Sequence, residues 1–278
     1  MGIRVGTCAF TDHEGFYPPD LPQGERLAYY ARRFDLVEVD SVFYGLPRLS
    51  TLERWVEATP DGFTMDIKAE RRMTGHVRGI SLDEQLAACD EFAERFAAFA
   101  RSGRMGPVLL QFPPWLRLED EAVGAVRRLR AELAEFEVSV EMRNRSWYRD
   151  GGRDLSSLLR EIGAAHVVAD EPQVGQGSVP LVAEVTGELS ILRLHGRNQE
   201  TWYVRGTSSQ DRFYYLYGPE ELMALRRTAE VLAESAREVH VLFNNNHGDF
   251  AIRNALSMRD MLGLGRSVGD VGGLFDSG

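Results

Sequence analysis

The stretch "LVEVDSVFYGLP", residues 36–47, begins as a buried strand does, with Val37 and Val39 at alternate positions, yet the residues between them are Glu38 and Asp40. Successive side chains of a strand point to opposite faces. One face of this segment is therefore apolar and the other carries two carboxylates. An isolated buried charge costs several kcal/mol or more, so such a face must meet cations. The lumen of a closed barrel, ringed by helices that cover the apolar face, offers that setting.

The same parity recurs along the chain. Phe63, Met65 and Ile67 oppose Thr64, Asp66 and Lys68. Val138, Val140 and Met142 oppose Ser139, Glu141 and Arg143. Leu192 and Leu194 oppose Arg193 and His195, and Val239, Val241 and Phe243 oppose His240 and Asn244. Eight strand-like runs are expected: 3–8, 36–40, 63–69, 108–112, 138–143, 165–170, 191–195 and 239–244. Amphipathic stretches lie between most of them, including "LDEQLAACDEFAERFAAFA" (82–100) and "GPEELMALRRTAEVLAESAR" (218–237). Ser50, three residues before Glu53, reads as the cap of the second helix. Alternating strand and helix implies parallel strands, and eight units in 278 residues predict an α/β fold, the (β/α)8 TIM barrel. Residues 171–189 carry Pro172, Gly175, Gly177 and Pro180, so the sixth helix is expected to be missing or replaced by a loop. The domain reading is a single barrel over 1–264, with a Gly-rich, frayed tail over 265–278.

Bulk composition narrows the function classes. The net charge of -10 argues against a broad basic surface for nucleic acid. Two cysteines, Cys8 and Cys89, form no disulfide framework and suit a reducing compartment. No run approaches the ~18 apolar residues of a membrane span, and a cytoplasmic protein is expected. The lumen inventory sets Arg4, Lys68, Arg143 and Arg193 against Glu38, Asp40, Asp66 and Glu141. Arg4, Glu38, Asp66 and Ser139 lie deep and read as structural pairs.

Seven ordered blocks give a further indication: "VEVDSVFYGLP", "W...TP.GF", "LLQFPP", "VEMRNRSW", "LRLHGR", "YYLYGPEEL" and "FNNN....AIRNA". Together they resemble the domain of unknown function 72 family, the YecE-like proteins, from about Val5 to Leu262. The resemblance implies a TIM barrel and no established activity. Where that family often has an Asn-Asn-His run followed by Gly, this chain has Asn244, Asn245, Asn246 and His247, with Asp249 near the expected Gly. The loop after the eighth strand is expected to differ in shape.

Barrel active sites sit at the C-terminal ends of strands. There the candidate catalytic residues are His195, Glu141 and Lys68. His195 and Glu141 are candidate proton carriers, and Lys68 holds negative charge; a Schiff base on Lys68 is disfavoured because Asp40, Asp66 and Glu141 favour its charged form. Asp40, Tyr44, Gln111, Arg143, Arg197, Asn244 and Asn245 are the candidate substrate-binding residues. Arginines among neutral hydrogen-bonding groups suit a small anionic ligand, phosphorylated or carboxylated, and an acid/base hydrolase, lyase or isomerase. No metal or cofactor is indicated: Asp40, Glu141, Asp170, His195 and His247 show no HExxH spacing, and the cations beside them repel a metal. The alternative is a nucleic-acid-binding or repair-like barrel that receives a phosphodiester or flipped nucleotide, on the basic segment "KAERRMTGHVRG" with Lys68, Arg71, Arg72 and Arg78.

Overall fold

A computed structural model describes residues 2–13, 15–202 and 213–265. Eight parallel strands close into a barrel: β1 (Gly2–Cys8), β2 (Leu36–Val39), β3 (Thr64–Lys68), β4 (Met105–Phe112), β5 (Val138–Met142), β6 (Ala165–Asp170), β7 (Leu189–Leu194) and β8 (Glu238–Phe243). Each strand pairs with the next in sequence, and β1 closes on β8 with Gly2 opposite Glu238 and Thr7 opposite Phe243. Seven helices stand outside among the described residues: α1 (Arg26–Ala31), α2 (Leu49–Glu57), α3 (Leu82–Ala100), α4 (Asp120–Glu132), α5 (Arg153–Ile162), α6 (Pro219–Ser235) and α7 (Phe250–Met261). All eight strands fall where the alternation put them, within a few residues at the ends. The tail from residue 266 lies outside the described residues.

The parity reading holds in three dimensions. Val37, Val39, Met65, Ile67, Val140, Met142, Leu192, Leu194, Val241 and Phe243 join the large core between sheet and helices. A smaller apolar cluster, with Leu36, Leu109, Val167, Ile191 and Leu242, fills the lumen around the charged groups. Helix ends follow local chemistry. Ser81 caps α3 in a capping box with Glu84. Ser50 does not cap α2: the helix starts at Leu49, two residues earlier than such a cap would set, with Arg48 at the N-cap and no side-chain cap. No helix separates β6 from β7. There Glu171 accepts the Val179 N–H at 2.6 Å, and Thr186 takes the N–H of His166 at 2.9 Å and donates to the Ala164 carbonyl at 2.7 Å, so side chains tie down the backbone that Pro172 and Pro180 keep from coiling.

The deep charges pair differently from the inventory. Arg4 turns to Glu238 at 2.5 Å and to the Gly62 carbonyl, at the rim opposite the strand C-termini. Asp66 pairs with His240, whose Nδ1 lies 2.8 Å from Oδ2, while His240 Nε2 lies 3.2 Å from Glu238. Burial opposes charge on His240, but Asp66 and Glu238 more than offset it and raise its pKa to about 9. The folded-state value exceeds that of the unfolded chain, so this stabilisation is complete below about pH 6.5 and is lost as pH rises through about 9. Urea melts should therefore show stability falling by up to roughly 3 kcal/mol between pH 6.5 and 9.5, with a clearly smaller fall in Asp66→Asn. A flat wild-type profile over that range is the contrary result.

Candidate functional site

Arg193 occupies the centre of the lumen. Its guanidinium grips Glu38 with two bonds, Nε to Oε2 at 2.8 Å and Nη2 to Oε1 at 2.6 Å. Nη1 reaches Glu141 Oε2 at 2.6 Å, and Nη2 also lies 3.6 Å from Cys8 Sγ. All four residues are buried. One forked cation thus joins β1, β2, β5 and β7, a geometry arginine provides and lysine does not.

Glu141 is occupied on both oxygens. Oε1 accepts from Gln111 Nε2 at 2.9 Å and from His195 Nε2 at 3.2 Å. Burial raises its pKa, but Arg193, His195 and Arg143 outweigh that and hold the carboxyl well below its usual range. His195 is occupied as well: Nδ1 accepts from Asn244 Nδ2 at 2.8 Å while Nε2–H donates to Glu141. Burial lowers its pKa to about 4, so the ring is neutral at physiological pH. Trp202 and Phe213 pack over it, the Phe213 ring stacked at 6.1 Å. His195 and Glu141 therefore form the floor of the mouth.

Above that floor lie groups with fewer partners. Arg143 lies 3.0 Å from Glu171 and 3.5 Å from Glu141, with its guanidinium over the Trp202 ring. Burial pushes the Glu171 carboxyl up to about 7, against the pull of Arg143. Lys68, the last residue of β3, has no carboxylate within 4.0 Å among the described residues, and its Nζ sits 4.6 Å from the Phe43 ring centroid. Its pKa is lowered, chiefly by burial and then by Arg193, although Glu38, Asp40 and Glu141 pull the other way. The carboxylates thus pull the amine toward its charged form, as expected, but do not fully offset its desolvation. Asp40, just past β2, has no side-chain hydrogen bond among the described residues; burial raises its pKa to about 6, with Lys68 opposing.

Three of the expected residues lie elsewhere. Arg197 is locked by Asp170 (2.8 Å) and Glu221 (3.0 Å), because the chain reverses at Gly196, whose φ is +85°. Asn245 faces outward to the Tyr215 carbonyl and Asn254, and Asn246 returns to the lumen side on the Cys8 carbonyl at 2.7 Å. Tyr44 is 72% exposed on the short turn Ser41–Tyr44 and lines an outer groove of about 740 Å³. Among the described residues no three of His, Cys, Asp or Glu gather as a metal cluster, although Glu141 and His195 are bonded to each other. Sequence reasoning passed over Glu171, Trp202 and His76, all of them on loops where strand parity gives no guidance.

Residues 4–271 match the family described as protein of unknown function DUF72. The chain belongs to the DUF72 family. YunF, a UPF0759 protein of Bacillus subtilis, is 34% identical over 268 residues, covering 94% of this chain and 95% of its own. A DUF72 crystal structure from Enterococcus faecalis superposes with a TM-score of 0.84 at 28% identity, covering 98% of this chain and 99% of that one. A DUF72 protein from Thermotoga maritima gives a TM-score of 0.83 at 28% identity, covering 95% and 100%. The DUF72 fold is therefore the TIM barrel described above, and among the described residues no helix is long and apolar enough to cross a membrane.

Proposed function

We propose that this DUF72 barrel is an enzyme that uses acid/base chemistry on a small anionic substrate, phosphorylated or carboxylated, bound at the C-terminal mouth. The observation that carries this reading is Lys68, a half-buried lysine with no anion within 4.0 Å among the described residues, near Asp40, a carboxyl with no donor among them whose pKa of about 6 suits proton transfer near neutral pH. An anion placed there would meet Lys68 and Arg143 and would relieve the desolvation of the amine. Gln111 and Asn244 hold Glu141 and His195 beneath it, and those two orient the floor. Asp40 moves the proton.

A phosphodiester lying along residues 68–79 has less support. Arg72 is already paired with Glu70 (2.7 Å) and Glu91 (2.8 Å), Arg78 lies on the Trp115 ring, and Glu84 lines the same groove.

Thermal melts with inorganic phosphate and with malonate test the reading. A probe at ~100 times its Kd adds about 2.7 kcal/mol to the folded state. The wild type should be stabilised saturably by at least one of the two, and Lys68→Met should weaken the midpoint at least tenfold. Stabilisation by neither, or an unchanged midpoint in Lys68→Met, rejects it.

A further inference from the structure

We propose that His76 is a second proton carrier of the mouth, with Nε2 as the atom that contacts the substrate held by Lys68 and Arg143. This rests on the anion-site reading above. His76 lies on the segment 69–81 that joins β3 to α3. Backbone bonds anchor that segment: the Arg71 N–H to the Phe43 carbonyl at 3.1 Å, and the His76 N–H to the Arg71 carbonyl at 3.0 Å. The imidazole is pinned on both sides. It meets Phe43 edge-on at 4.9 Å and Trp115 at 5.9 Å, and its Nδ1 lies 2.9 Å from Oγ1 of the buried Thr74.

Nε2 has no partner among the described residues, whereas both ring nitrogens of His195 are bonded. A histidine serving only as packing between Phe43 and Trp115 would need neither the Thr74 bond nor a free nitrogen; a phenylalanine would fill that space. Burial, followed by Lys68 and then Arg143, lowers its pKa to about 4 against the pull of Glu141, so the ring is neutral, and it shares the Phe43 ring with Lys68 Nζ, at 4.9 and 4.6 Å from the centroid. A fixed, neutral imidazole with one free nitrogen next to an anion-holding pair suits a hydrogen bond to a hydroxyl adjacent to the anionic group. With Asp40 it provides two carriers. His76 Nε2 takes a proton from the substrate, the protonated Asp40 carboxyl returns one, and passing that proton back from His76 to Asp40 resets the pair, a balance that an isomerisation satisfies with no oxidant or co-reactant.

Histidine ring nitrogens can be followed by ¹H–¹⁵N correlation on the wild-type protein, with His76 assigned through its backbone and Cβ so that no variant is required. The probe is whichever of phosphate and malonate stabilises the protein in the melts. As it is added, His76 Nε2 should shift with the midpoint seen in the melts, the shift should weaken with that midpoint in Lys68→Met, and His195 should stay in place. Saturable stabilisation that leaves the His76 nitrogens unmoved overturns the proposal while sparing the anion site. No stabilisation by either probe removes the site and this proposal together.

Discussion

Arg193→Met should cost the folded protein about 3–5 kcal/mol, the usual loss when one partner of a buried ion pair is removed. Methionine reaches only about as far as the arginine Nε, so the loss combines the missing charge with the space the guanidinium filled in the buried lumen. Glu38 and Glu141, both buried, would lose the guanidinium that bonds them at 2.6 Å each. With typical folding stabilities of ~5–15 kcal/mol, the variant would sit near its unfolding midpoint in mild urea. Neutralising the stranded acids should restore most of the loss, because Glu38→Gln and Glu141→Gln remove the charge and keep the shape. Arg193→Lys should fall between, keeping charge while losing the fork. Urea denaturation of the four proteins decides it. A single Arg193→Met variant within 1 kcal/mol of wild type would show that the central pairs contribute little.

Gly6→Ala should be comparably damaging for a steric reason. A Cβ on Gly6 would stand 2.1 Å from the Leu36 carbonyl oxygen and 2.8 Å from its carbon. Those are backbone atoms of the neighbouring strand, so no side chain can swing aside. Overpacked sites commonly lose ~1–3 kcal/mol, and a backbone clash belongs at or above the top of that range, about 3 kcal/mol. The β1–β2 seam would have to open beside Thr7 and Val37, which face each other across it. Circular dichroism melts should show a large drop or no cooperative fold; a Tm within 2 °C of wild type would mean that the seam accommodates a methyl group.

Alternation made the architecture legible, because a period of two needs only local residues to be visible. It placed Glu38, Glu141, Arg193 and His195 inside the barrel before any contact was known, and Lys68, Arg143, Gln111 and Asn244 converge with them. It failed where the backbone stops being a strand. Arg197 follows a glycine at positive φ, which reverses the direction of the next side chain. Asn245 was lost for another reason: parity, carried one residue beyond Asn244, already points it outward. His76 lies on a loop, where no period exists, and only the meeting of Phe43, Thr74 and Trp115 in space shows how it is held. Pairing was also invisible, since four cations and four acids admit many matchings and His240 took Asp66 from all of the expected ones.

The bridge at Arg193 has a consequence for how the chain comes together. Glu38 belongs to the first four strands, while Glu141 and Arg193 belong to the last four. A chain divided between β4 and α4 would leave Glu38 in one fragment without its base, and Arg193 in the other with Glu141 but without the two bonds to Glu38. Neither piece could settle alone at low energy, and the two would find order mainly by docking on one another. The ring is therefore expected to unfold as one cooperative unit rather than as two halves sharing an edge.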